Sequence, residues 1–267
     1  MRLSIKHATQ YRYDAPNYYG LQQIRLTPHS SRLQKVVDWK VSFEGGWEEV
    51  RFKDQHANSV ILARISSDQT VFEVACEGVV ETHDTAGVLG AHEELAPLWY
   101  FQRTTALTKP GERVRALLGG DLQPSGGRDL SSLHALSEKI AEVMPYEIGA
   151  TSASTSAEQA LEIGKGVCQD HAQVFIAAAR LLGFPARYVS GYLTMPDRVT
   201  QDAGHAWAEA HVEGLGWVGF DVSNAVCPDE RYVRIATGLD YAEAAPVSGI
   251  LMGTQGESLS VTLQIQQ

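Results

Sequence analysis

Apolar and polar residues alternate through the first third of the chain. Period-two runs occupy residues 3–8, 36–43, 50–52, 59–65 and 70–80. Turn-forming stretches separate them: Asp14-Ala15-Pro16-Asn17, Thr27-Pro28-His29-Ser30, Gly45-Gly46 and Ser66-Ser67-Asp68. Successive strand side chains point to opposite faces, so this pattern predicts an antiparallel, sandwich-like β-domain over residues 1–85. Residues 86–128 read as a helical connector, with helical character at 92–102 and 112–118. Breaks follow at Gly119-Gly120 and Pro124-Ser125-Gly126-Gly127.

The period changes near residue 129. Leu130, Leu133, Leu136, Ile140 and Val143 recur at helical spacing behind Asp129, a suitable N-cap, and predict a helix over 129–144. A small, polar segment at 149–156 can cap a helix over 157–163 through Ser154, Thr155 or Ser156. A further helix, 168–182, carries Ala172, Phe175, Ala179 and Leu182 on one stripe, and Gly183 and Pro185 stop it. Strands at 186–193, 205–213 and 217–223 complete a core over 129–230. The tail, 231–267, holds a short strand, a break at Pro246 and a closing alternation at 259–265 that is expected to return to the N-terminal sheet. The fold class is α+β: an antiparallel β-domain, then helices on a second antiparallel sheet.

Composition narrows the function. With 44% hydrophobic and 20% charged residues, the 267-residue chain has an ordinary soluble, globular balance. Its net charge of −10 and lack of Lys/Arg clusters argue against a nucleic-acid partner. No apolar run approaches a membrane span, so no membrane partner is expected. The N-terminus has neither an apolar core nor a cleavage site, and three sparse cysteines suggest no disulfide framework. A reducing, cytoplasmic location is therefore the expectation.

The chemistry concentrates around Gly166-Val167-Cys168-Gln169-Asp170-His171. Cys168 stands behind two glycines, Gly164 and Gly166, at the head of a helix, where unsatisfied N–H groups and the helix dipole favour a thiolate. Downstream, His205 and Asp221 lie on two strands joined through Glu213-Gly214. A tight reversal there would set them opposite or nearly opposite each other, with Cβ atoms roughly 5 Å apart. Nucleophile, base and orienter would then be complete. The Cys168 N–H can serve as an oxyanion donor, but no second donor is evident, because position 162 is Glu.

Each residue has a plainer reading. Cysteine is commonly a core residue, His205 could be a satisfied strand histidine, and Asp221 could begin a turn. Asp170 reads as a first-turn helix acid. Cys168 and His171 have metal-ligand spacing, but no second pair completes a zinc site. Trp207, Trp217 and His211 read as structural, and Asp202 is the reserve candidate for orienter.

Taken together, these motifs resemble the transglutaminase-like superfamily of papain-fold cysteine enzymes, in its bacterial two-domain branch. The resemblance rests on residues 166–170, Ala186-Arg187-Tyr188-Val189-Ser190-Gly191-Tyr192, Asp202-Ala203-Gly204-His205-Ala206-Trp207 and Gly216-Trp217-Val218-Gly219-Phe220-Asp221. It extends to His7-Ala8-Thr9-Gln10-Tyr11-Arg12-Tyr13 with Leu26-Thr27-Pro28, and to Ala236-Thr237-Gly238-Leu239-Asp240-Tyr241 with Pro246-Val247-Ser248-Gly249. It implies Cys168 as nucleophile, His205 as base and Asp221 as orienter. Two departures stand out: Val222-Ser223-Asn224 where relatives commonly carry Pro-Thr-Asn, and Leu239 where they often carry Arg.

The expected activity is amide hydrolysis, as a peptidase or amidase, or acyl transfer through a Cys168 thioester. The expected partner is a peptide-like or amide substrate, with no metal or organic cofactor. The alternative is a peptide- or glycan-binding module that has kept the fold and lost the chemistry.

Overall fold

Burial follows the alternation residue by residue along Arg2–Tyr13, with Leu3, Ile5, His7, Thr9 and Tyr11 turned inward. The computed structural model describes residues 1–119, 129–195, 199–201, 203–253 and 256–267. Arg2–Tyr13 is the central strand of a five-stranded sheet ordered Gln34–Glu44, Val71–Thr82, Arg2–Tyr13, Glu257–Gln266, Thr200–Gln201. Its pairing with Glu257–Gln266 runs from Ser4 opposite Gln266 to Tyr13 opposite Glu257, so the two ends of the chain share one ladder.

A four-stranded sheet ordered Val247–Met252, Tyr19–Thr27, Ser59–Ile65, Gly46–Lys53 covers the first. Ile24, Leu26, Ile61, Phe72 and Val74 fill the space between them. The alternation did not reveal Tyr19–Thr27, because two of its buried positions, Gly20 and Gln22, are not large and apolar. Tertiary packing outweighs local pattern there.

The third sheet is ordered Tyr232–Gly238, Ala186–Leu193, His205–Val212, Gly216–Phe220, Val88–Gly90, and all its pairings are antiparallel. The helices Leu130–Val143, Ala157–Ile163 and Cys168–Leu181 build the core with it. Leu3, Ile5, Val80 and Leu263 of the first sheet meet Tyr192, Val233 and Ile235 of the third. Ala186–Leu193 is consequently buried at every position. Each large apolar side chain so enclosed stabilises the fold by roughly 1.5–3 kcal/mol. The architecture is thus α+β, with an N-terminal antiparallel β-domain and a mixed helix and sheet core.

Local chemistry sets the helix ends. Asp129 accepts the Ser132 N–H, and Ser156 and Gln159 form a reciprocal capping box. Cys168–Leu181 is buried nearly all round, beyond the single stripe expected, because the sheet and three helices surround it.

The helical reading of 92–102 needs correction. Only Leu98–Gln102 coils, as a 3₁₀ turn behind Pro97, whose backbone is extended. Proline disfavours helix in the residue before it, here Ala96. The strand expected at 217–223 ends at Phe220. Pro124-Ser125-Gly126-Gly127 lies outside the described residues. Arg187 ties the connector to the sheet through Glu209 and Glu94, both at 2.6 Å. Among the described residues no helix is long and apolar enough to cross a membrane.

Candidate active site

Cys168 is the first residue of its helix, and Asp170 fixes that end. The Asp170 carboxylate accepts the Val167 N–H at 2.8 Å and the Thr151 hydroxyl at 2.6 Å. A Cβ on Gly166 would lie 2.7 Å from the same carboxylate oxygen, so the close approach requires glycine. Asp170 therefore holds the first turn, as its position suggested. The Cys168 N–H, one of the first four of the helix, has no intrahelical acceptor and is available to a ligand. The sulfur is partly exposed.

His205 and Asp221 meet, though not in the expected register. Ala208 pairs with Phe220 and Val212 with Gly216, so extending the ladder sets Trp207 opposite Asp221. His205 lies two residues further along. A two-residue offset preserves the face, and diagonal neighbours remain within side-chain reach. His205 Nε2 donates to Asp221 Oδ2 at 2.6 Å. The same oxygen accepts the Tyr232 hydroxyl and the Asn224 side-chain amide, each at 2.7 Å. The turn therefore closes on the carboxylate despite the Val222-Ser223 departure. Leu239, the other departure, packs with Phe101 and Trp217.

Burial disfavours charge on both partners and is the largest single influence, but their hydrogen bonds and opposite charges together outweigh it. Asp221 falls below the usual carboxylate range, helped by Asn224 and Tyr232. For His205, burial is overcome by hydrogen bonds to Asp221 and to the Cys168 sulfur, and its pKa rises to about 10. With Nε2 committed to Asp221, Nδ1 is the nitrogen that serves Cys168. The rings of Trp207 and Tyr232 flank the imidazole, with centroids at 6.3 and 6.0 Å.

Sequence reasoning missed Tyr146. Residues 145–147 run beside the cysteine loop: Tyr146 bridges Gly166, and the Glu147 N–H donates to the Gly166 carbonyl at 2.8 Å. Tyr146 lines the same cavity as Cys168. Burial first, then the charges of Cys168 and Asp221, push its pKa up to about 12, so it stays a protonated donor. A tyrosine after a helix and a proline gives no chemical signal in sequence; only the contact with Gly166 reveals it.

His171 joins these parts without entering the cavity. Its Nε2 donates to the Met144 carbonyl and its Nδ1 accepts from the Ser223 hydroxyl, both at 2.8 Å. Both nitrogens are occupied, which removes the metal-ligand reading. His171 instead links the helix to the Tyr146 segment and to the turn after Asp221. Trp207 and Trp217 are buried core residues. Asp202 lies outside the described residues.

Cys168 and His205 open onto a cavity of about 490 Å³. His7 and Leu26 from the first two sheets also line it, beside Tyr188, Tyr192 and Ile235. A second cavity of about 350 Å³ shares His205 and Tyr146 but not Cys168.

Residues 119–222 match the transglutaminase-like superfamily, and residues 3–81 match the bacterial transglutaminase-like N-terminal region. The uncharacterized protein ML0607 of Mycobacterium leprae is 28% identical, over 99% of this chain and 98% of its own. Rv2569c of Mycobacterium tuberculosis is also 28% identical, over 94% and 87%. A Cytophaga hutchinsonii structure, provisionally described as a cysteine protease, superposes with a TM-score of 0.76. It covers 100% of this chain and 98% of its own at 21% identity, a likeness of fold alone.

Proposed function

The chain belongs to the transglutaminase-like superfamily of papain-fold cysteine enzymes and carries its bacterial N-terminal region, and from that premise we propose that it breaks amide bonds through a Cys168 thioester. One observation supports the reading: His205, bonded to Asp221 at 2.6 Å, lines the same cavity as Cys168, which stands at a helix N-terminus.

In the proposed sequence, the Cys168 sulfur attacks the carbonyl carbon of a peptide-like substrate and a C–S bond forms. The negative charge moving onto the carbonyl oxygen is met by the Cys168 N–H, which no helical carbonyl engages, and by the hydroxyl of Tyr146, which lines the same cavity. His205 gives its Nδ1 proton to the leaving nitrogen as the C–N bond breaks. Asp221 holds the ring and balances its charge. Water or an amine then attacks the thioester, His205 takes up the incoming proton, and the C–S bond breaks. Hydrolysis and acyl transfer share the first half and differ only in the second nucleophile. A reducing, cytoplasmic location suits the free thiol and forms part of the proposal.

The test is acylation by p-nitrophenyl acetate, followed by intact-mass and peptide-mapping mass spectrometry. A burst of nitrophenol and a hydroxylamine-labile acetyl group on Cys168, absent in Cys168→Ser, is the expected result. No adduct on Cys168 would favour a silent binding module instead.

A further inference from the structure

The larger cavity is built from both ends of the fold. His7 and Leu26 come from the N-terminal strands, Pro246 from the tail, and Tyr188, Tyr192 and Ile235 from the third sheet. Among the described residues, no Asp, Glu, Lys or Arg lines it. We infer that this cavity receives the acyl-side group of the substrate, and that the group is uncharged and largely apolar, an aromatic or branched aliphatic side chain; the assignment rests on the proposed acyl chemistry.

The side follows from the two cavities around the site. His205 lines both cavities and Cys168 only the larger, so the acyl group, which stays bonded to the sulfur, belongs beside Cys168, and the side of the departing nitrogen belongs in the smaller cavity, still beside His205. The acyl group then occupies the larger one, which Cys168 lines.

The chemistry follows from the walls. The His205 imidazolium at the cavity wall is already balanced by Asp221, so a charged side chain buried among tyrosine rings, Leu26, Ile235 and Pro246 would lose its water and find no free countercharge. His7 offers no exception. Its Nδ1 meets the Tyr192 hydroxyl at 2.7 Å and its Nε2 meets the Thr9 hydroxyl at 3.1 Å, so both nitrogens are engaged. Burial lowers its pKa to about 4, so it brings no positive charge at neutral pH. A volume of about 490 Å³ suits one large side chain with adjoining backbone.

Binding can be read without catalysis. Cys168→Ala protein is titrated with the N-acetyl amides of phenylalanine, leucine, lysine and aspartate, followed by ligand-observed NMR. The phenylalanine and leucine amides should bind at least about 10-fold more tightly than the lysine and aspartate amides. Ile148 lines the mouth and is 83% exposed, so Ile148→Glu should fold normally. It should narrow the gap by strengthening the lysine amide. A charged amide that binds as tightly as phenylalanine, or a cavity that binds none of the four, overturns the inference. Iodoacetamide labelling of Cys168 in the unaltered protein reads the acyl chemistry separately. Slow labelling with apolar selectivity would defeat that chemistry and leave the cavity preference standing.

Discussion

Two groupings of the same residue types meet at this cavity, which all of their members but Cys76 line. Cys168, His205 and Tyr146 form one, and Cys76, His7 and Tyr192 form the other. Tyr192 hydrogen-bonds the Cys76 sulfur, and Tyr146 lines the cavity with Cys168. The protonation of their histidines runs in opposite directions. His205 rises to about 10 against the effect of burial because Asp221 stands behind it. His7 has no carboxylate partner, and burial takes it down to about 4. Cys76, buried within a strand pairing, is pushed up to about 12. Cys168 instead opens a helix, where its own N–H has no intrahelical acceptor. Residue type alone therefore does not set how these histidines hold a proton; the carboxylate behind His205 does.

The largest effects should come from removing the first grouping. Cys168→Ser should abolish acylation, and His205→Ala should lower its rate on the order of 10⁴-fold or more, as expected for residues that act as a unit. Cys76→Ser should leave the rate unchanged. An equal loss in both cysteine variants would erase the contrast. Asp221→Asn comes next. It keeps the shape of the His205 contact but removes the charge, and should cost roughly 10²- to 10⁴-fold. Full activity in that variant would reduce Asp221 to a turn residue. Tyr146→Phe removes one proposed oxyanion donor and should lower acylation roughly 10²-fold, with little change in substrate binding. A KM effect alone would assign Tyr146 to binding.

The smallest effect separates the two histidines by sign. His205 binds its proton more tightly in the folded chain, so its stabilisation is complete below pH 6.5 and is lost as pH rises towards about 10. His7 resists protonation when folded, so its penalty is absent above pH 6.5 and grows as pH falls towards about 4. Urea unfolding across this range should show His205→Gln removing part of the alkaline decline and His7→Gln part of the acid decline. Matching pH profiles for the two variants would contradict the opposite shifts.

Much of this was legible in sequence because periodicity and caps are local signals. Asp129 and Gly183 mark helix ends directly, Ser156 is one of three candidate caps, and the alternation in residues 3–8 marks a face. The motif around Cys168 and the strands bearing His205 and Asp221 pointed to residues that the fold brings together. Other features depend on pairing between distant segments. The offset between His205 and Asp221 is set by the loop at Glu213-Gly214-Leu215, which places Val212 opposite Gly216. Gly216 has φ +83°, and a Cβ there would run into the Gly90 carbonyl. That contact is invisible along the chain. Tyr146 and His7 were missed for the same reason. Each gains its role from a segment remote in sequence, Gly166 for Tyr146 and Tyr192 for His7.

Site-resolved alkylation tests the contrast most directly. The native protein is treated with limiting iodoacetamide near pH 6, and modification of Cys168, Cys76 and Cys227 is followed by peptide mapping, with the urea-unfolded chain as reference. Cys168 should react well before the other two, and faster than any cysteine of the unfolded chain, while Cys76 stays protected. If Cys168 reacts no faster folded than unfolded, the helix terminus and the His205–Asp221 pair do not activate it, and the account is wrong.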